Sequence, residues 1–119
     1  MKQLLIVTSQ VDPHADAVIE ELTKYEIEPV RLNTETIIQE TEYSFGWDQQ
    51  GQFTSQNLTF KDSKRSTQEV KLIWWRKPND YNPYPDVADE WARKYAIEET
   101  KSLVQSLPGL FPNAKWINN

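Results

Sequence analysis

The stretch KLIWWRKP, residues 71–78, gathers the residue types best suited to holding an anion. Two aliphatics and two adjacent tryptophans run straight into Arg76 and Lys77, and Pro78 stops the run. A guanidinium at a rigid strand end can grip a carboxylate or phosphate through paired hydrogen bonds, and an ammonium adds a point charge. The same arginine could equally close a salt bridge to an acidic helix, and the residues alone leave both readings open. His14, the single histidine, stands between Asp12 and Asp16, a set with the chemistry of a metal site or an acid–base centre. All three sit at one helix start, where their side chains would have to turn toward each other, so His14 reads as a solvated surface residue. Lys61, Lys64 and Arg65 form a basic cluster in a polar loop without interleaved aromatics, and they too read as solvated.

Several chemistries are excluded by what the chain lacks. With no cysteine there is no disulfide framework, thiolate metal site or cysteine nucleophile. No glycine lies between Thr8 and Ala15, so the first strand–helix turn cannot wrap a phosphate as glycine-rich loops do. Asp12 and Asp16 would also repel an anion from that helix start, so no nucleotide cofactor is expected there. No Gly-x-Ser-x-Gly elbow accompanies His14. Eighteen acidic residues against thirteen basic ones give a net charge of −5, which disfavours phosphate-driven binding of nucleic acid. The apolar run at Leu4–Val7 is too short for a secretory signal or a membrane span, so a soluble cytoplasmic protein is the expectation.

The elements that must position Arg76 follow from periodicity. The 119 residues suit one domain, burying about two-thirds of the unfolded surface. QLLIVT, residues 3–8, reads as a strand buried on both faces. Asp12 is placed to cap a helix that begins at Pro13, with Ala15, Val18, Ile19, Leu22 and Tyr25 along its inner side. EPVRL, residues 28–32, completes a βαβ unit. TEYSFGW, residues 41–47, puts Tyr43, Phe45 and Trp47 on one face and pairs with residues 52–60 as an antiparallel hairpin, with Gly51 at the turn. VKLIWWR, residues 70–76, is the next strand; Trp74 and Trp75 point to opposite faces and both call for burial, so the strand is central. A helix is expected from about Asp86, its inner side marked by Ala88, Trp91, Ala92, Tyr95, Leu103 and Leu107 and its end by Pro108-Gly109. KWIN, residues 115–118, is a last short strand. The fold class is α/β: a mostly parallel sheet, an inserted antiparallel hairpin and two main helices. Ligands of such sheets bind at the carboxyl ends of the strands, which is where Arg76 would stand.

Four segments occur together in one order: LLIVTSQVDPHADAVIEEL, VRLNTE, IWWRKP and KWINN. In this combination the chain resembles the N-terminal, MvdD-like pre-ATP-grasp domain of ATP-grasp peptide maturases of the microviridin type. The resemblance covers nearly all of residues 1–119 and implies a Rossmann-like support on the substrate side of a ligase. Such ligases form ester or amide side-chain crosslinks in a ribosomally made precursor peptide, using ATP and Mg2+ held by an ATP-grasp domain. That domain is expected downstream of KWINN, so residues 1–119 are expected to bind no cofactor or metal and to be inactive alone. The implied partners are the precursor peptide and the chain's own ATP-grasp domain; homodimerisation is left open, and neither nucleic acid nor membrane is expected. Arg76 matches the family's strand end and is the candidate contact to the peptide. Lys77 stands where the family commonly has arginine, which weakens a two-guanidinium clamp. The alternative is a stand-alone, non-catalytic module that binds a peptide or partner.

Overall fold

The computed structural model describes residues 4–62, 65–67, 69–76 and 81–118. Four parallel strands form the main sheet in the order β2-β1-β5-β6: β1 Leu4–Thr8, β2 Val30–Asn33, β5 Leu72–Trp75 and β6 Lys115–Asn118. β1 is the apolar LLIVT run, and Leu5, Ile6 and Val7 are completely buried, as a strand covered on both faces requires. β5 lies between β1 and β6, with Ile6 beside Trp74 and Trp74 beside Ile117. The central placement expected of the tryptophan strand is what the sheet shows.

Helix α1, Pro13–Thr23, begins as its capping signal dictates: the Asp12 carboxylate accepts from the Ala15 amide at 3.1 Å, and Pro13 occupies the first turn. It stops short of Tyr25, which is 69 % exposed and not part of the inner side. A short helix, α2, Ile37–Glu40, follows β2 and was not anticipated; four residues are too few to show a period. The chain therefore has three helices among the described residues, the two main ones and this single turn.

Strands β3, Thr41–Trp47, and β4, Phe53–Phe60, form the expected antiparallel hairpin as a separate two-stranded sheet. Gly51 closes its turn at φ 78°, a conformation that costs glycine nothing. At the base of the hairpin Thr41, Leu58 and Phe60 are buried, and Leu58 and Phe60 join the core built from Leu5, Val7, Val30, Leu32, Ile73, Val104 and Leu107.

Helix α3, Glu90–Leu110, starts four residues later than expected because Asp89, not Asp86, supplies the cap, accepting from Trp91 and Ala92 amides. Its buried side is Thr100, Val104 and Leu107. Trp91 and Tyr95, expected on that side, are 82 % and 69 % exposed. Taking the aromatics as the start of the apolar stripe rotated the first half of the helix away from its true packing face. Pro108 lies inside the helix, which runs on to Leu110; proline loses its amide hydrogen bond and crowds the carbonyl four residues back, but the helix continues only two residues further, and the chain closes with Phe111 N–H donating to Pro108 C=O.

Candidate functional site at the carboxyl edge of the sheet

The chain leaves β1 to build β2 on one side, then returns to build β5 on the other, so the strand order reverses between β1 and β5. In an open α/β sheet the crevice outside the carboxyl ends at such a reversal is where ligands bind. Thr8, Ser9 and Asp12 arrive there from β1 and the turn after it, and Arg76 arrives from the end of β5. The Arg76 amide donates to Val7 C=O at 3.0 Å, so the arginine's backbone is held by the sheet ladder itself.

Arg76 is committed to Asp12. Its Nε donates to Asp12 Oδ2 and its Nη2 to Asp12 Oδ1, both at 3.0 Å, in the paired geometry suited to guanidinium and carboxylate. The guanidinium carbon also stands 5.2 Å from the centre of the Trp74 ring. Asp12 is only 8 % exposed and takes further hydrogen bonds from the Ala15 amide and the Thr8 hydroxyl. The Arg76 hydrogen bond dominates and holds the Asp12 carboxyl well below its ordinary range, against the opposing effect of burial. Asp12 is thus ionised at neutral pH, and its role in the pair is to position the guanidinium.

A second arginine fixes the same turn from β2. Arg31 Nη2 donates to the carbonyls of Ser9 at 2.7 Å and Gln10 at 3.1 Å, its Nε donates to Asn33 Oδ1 at 2.9 Å, and it pairs with Asp16. The Gln10 amide donates to Glu35 Oε1 at 2.9 Å. Beside these groups a polar crevice of about 210 Å³ opens between Gln10, Glu35, Thr36, Gln39, Asn82 and Pro83. Gln39 Nε2 donates to Pro83 C=O at 2.7 Å and ties the proline-rich loop to α2.

The sequence-based expectations fare unevenly at this edge. Arg76 stands at the carboxyl end of a central strand, as expected, and the salt-bridge reading of its chemistry is the one realised. Lys77 lies outside the described residues. His14 is exposed, and among the described residues no three His, Asp or Glu side chains converge on a metal. Of the basic cluster, Arg65 is only partly exposed: it pairs with Asp62 and Glu40 and sits 4.2 Å over the Phe60 ring. Burial opposes its charge, but the two carboxylates outweigh that and raise its pKa. Lys64 is outside the described residues. Trp74 and Trp75 face opposite sides but are half-buried: Trp75 packs on the core and lies 5.7 Å from Trp116, whereas Trp74 lines an open groove. Sequence reasoning missed the roles of Arg31 and of Asp12 as an arginine partner. For Arg31 the signal was its place on a parallel strand two register steps from β1's end; for Asp12 the capping role concealed the second one.

Comparison with known proteins settles the family. The family model described as the MvdD pre-ATP grasp domain matches residues 3–119. The chain belongs to that family. The fold of this pre-ATP grasp domain is shared with macrocyclase MdnC bound with precursor peptide MdnA from Microcystis aeruginosa MRC, at TM-score 0.65 and 21 % identity, over 97 % of this chain and 36 % of that one. Macrocyclase MdnB from the same organism gives TM-score 0.65 and 20 % identity over 100 % of this chain and 38 % of that one. A Chryseobacterium gregarium RiPP-associated ATP-grasp ligase in complex with ADP and a leader and core peptide gives 0.62 and 20 %, over 98 % and 34 %. The domain thus spans little more than a third of the length of these enzymes. No curated protein matches the domain by sequence.

Proposed function

We propose that this domain is the N-terminal, substrate-side part of an ATP-grasp ligase that forms ester or amide crosslinks between side chains of a ribosomally made precursor peptide. The observation that carries the reading is the family match along residues 3–119, supported by the shared fold with ligases solved with precursor peptide or with ADP. In this reading ATP and Mg2+ bind to the ATP-grasp domain of the whole enzyme, which works in the cytoplasm, and residues 1–119 frame the peptide. No helix among the described residues is long and apolar enough to cross a membrane.

In this reading Arg76, at the carboxyl edge, and Lys77, next to it in sequence, are the contacts to the peptide. Asp12 engages two of the five N–H donors of the Arg76 guanidinium, so Arg76 first rigidifies the edge and then offers a fixed cation to an acidic peptide side chain. The test is to express the whole open reading frame with its precursor peptide and weigh the product: each crosslink removes one water. Loss of water that depends on ATP supports the reading; an unaltered peptide under conditions where the enzyme hydrolyses ATP contradicts it. Residues 1–119 alone should give no nucleotide-induced thermal shift, and micromolar ATP binding by them would also contradict it.

A further inference from the structure

The inner face of the β3–β4 hairpin is longer than the core it covers. Register pairs Thr41 with Phe60, Tyr43 with Leu58 and Phe45 with Gln56, so one face carries buried Thr41, Leu58 and Phe60 at the base and continues outward through Tyr43 and Phe45. Beyond a register shift at Gly46/Trp47, Trp47 stands opposite Phe53. The four rings form an edge-to-face ladder with centroid spacings of 4.8, 5.3 and 6.1 Å from Tyr43 to Phe45, Trp47 and Phe53. At the tip the ladder is uncovered: Phe45, Trp47 and Phe53 are 51 %, 58 % and 53 % exposed. The overhang fits the molecule's radius of gyration of 15.4 Å, which exceeds the value of about 13.5 Å expected for a closely packed chain of this length.

The electrostatics around the ladder select the occupant. Residues 41–60 contain no lysine or arginine; of their two carboxylates Glu42 alternates onto the opposite face, and Asp48 sits in the turn next to Trp47, where it accepts from the Gln50 and Gln52 amides. Gln56, opposite Phe45, donates through Nε2 to Gly109 C=O at 2.8 Å, which brings the carboxyl end of α3 against the ladder. That last turn carries no basic side chain to offset the negative end of the helix dipole. Ring faces, helix carbonyl end and the Asp48 carboxylate all favour positive charge, and the rings want apolar contact as well. We infer that the hairpin tip is a docking surface for a polypeptide segment bearing arginine or lysine among apolar residues. It is a site separate from the carboxyl edge, and it stands or falls independently of the ligase reading.

The test uses the 119-residue chain and three labelled peptides alternating leucine with arginine, glutamine or glutamate, followed by fluorescence anisotropy. The arginine peptide should bind at least about tenfold more tightly than the glutamine one, the range a desolvated cation–π contact gives. Trp47→Ser should erase that preference, Trp47→Phe should keep it, and Trp91→Ser, which alters an exposed tryptophan elsewhere, should leave it unchanged. Urea unfolding reports whether each variant is folded; if Trp47→Ser is not, Phe53→Ser on the same face takes its place. Equal binding of arginine and glutamine peptides, or a preference that survives loss of the ladder, overturns the inference. So does sedimentation showing a dimer that Trp47→Ser converts to monomer, since the face would then belong to a second copy.

Discussion

Replacing Arg76 by alanine tests whether the carboxyl edge is held together by the ion pair. The change leaves Asp12, 8 % exposed, as a carboxylate with only the Thr8 hydroxyl and the Ala15 amide for support. Removing one partner of a fully buried pair costs about 3–5 kcal/mol. The Arg76 side chain retains 21 % of its exposure, so water relieves part of that penalty, and a loss of about 2–4 kcal/mol is expected. With a urea m value of about 1.5 kcal/mol/M for a chain of this size, the unfolding midpoint should drop by roughly 1.3–2.7 M. Arg76→Lys keeps the charge but not the paired geometry and should fall between. Asp12→Asn preserves the helix cap while removing the charge, so combining it with Arg76→Ala should cost clearly less than the two separate losses added together. An unfolding free energy for Arg76→Ala within about 0.5 kcal/mol of the parent would refute the reasoning, because a structural pair cannot be that cheap.

Three further outcomes follow from the same structure. The folded-state pKa of Asp12 lies below its ordinary value of 3.8, so its contribution is present above that pH and lost as pH falls beneath it; urea midpoints should decline on acidification through this range, with a smaller decline in Asp12→Asn. Trp75→Ala, which opens a gap against Trp116 and the core, should cost about 2–4 kcal/mol in chemical denaturation, and Trp74→Ala, at an open groove, clearly less. Trp91→Ser should change the unfolding free energy by no more than about 0.5 kcal/mol, since a residue 82 % exposed has little packing to lose.

Much of this architecture was legible from the chain. The β1 run, the Asp12–Pro13 helix start, the hairpin around Gly51 and the KWIN strand are each set by a local rule that tertiary contacts did not override. The central position of β5 was also legible from its two adjacent tryptophans, although the full burial they called for is not reached: both are half-buried and Trp74 lines an open groove. Where the reading failed, the deciding contact was distant in sequence. Trp91 and Tyr95 look like core residues by type, yet α3 turns Thr100 and Val104 inward, and only the sheet beneath it decides that. Arg65 lies in a polar run, but Phe60 and Glu40, brought together by the hairpin base, draw it in. The candidate site shows the same division: Arg76's location follows from strand direction, whereas its engagement with Asp12 joins residues 64 positions apart.

Because one aspartate both seats the first turn of α1 and neutralises Arg76, the edge cannot yield its arginine without disturbing the helix behind it. An acidic side chain arriving there would find two of the guanidinium's five donors already taken, and would have to share the rest or displace the resident carboxylate. Guests offering a lone, poorly oriented charge would be turned away, while one able to straddle the guanidinium could displace the incumbent and loosen the start of α1 in the same movement.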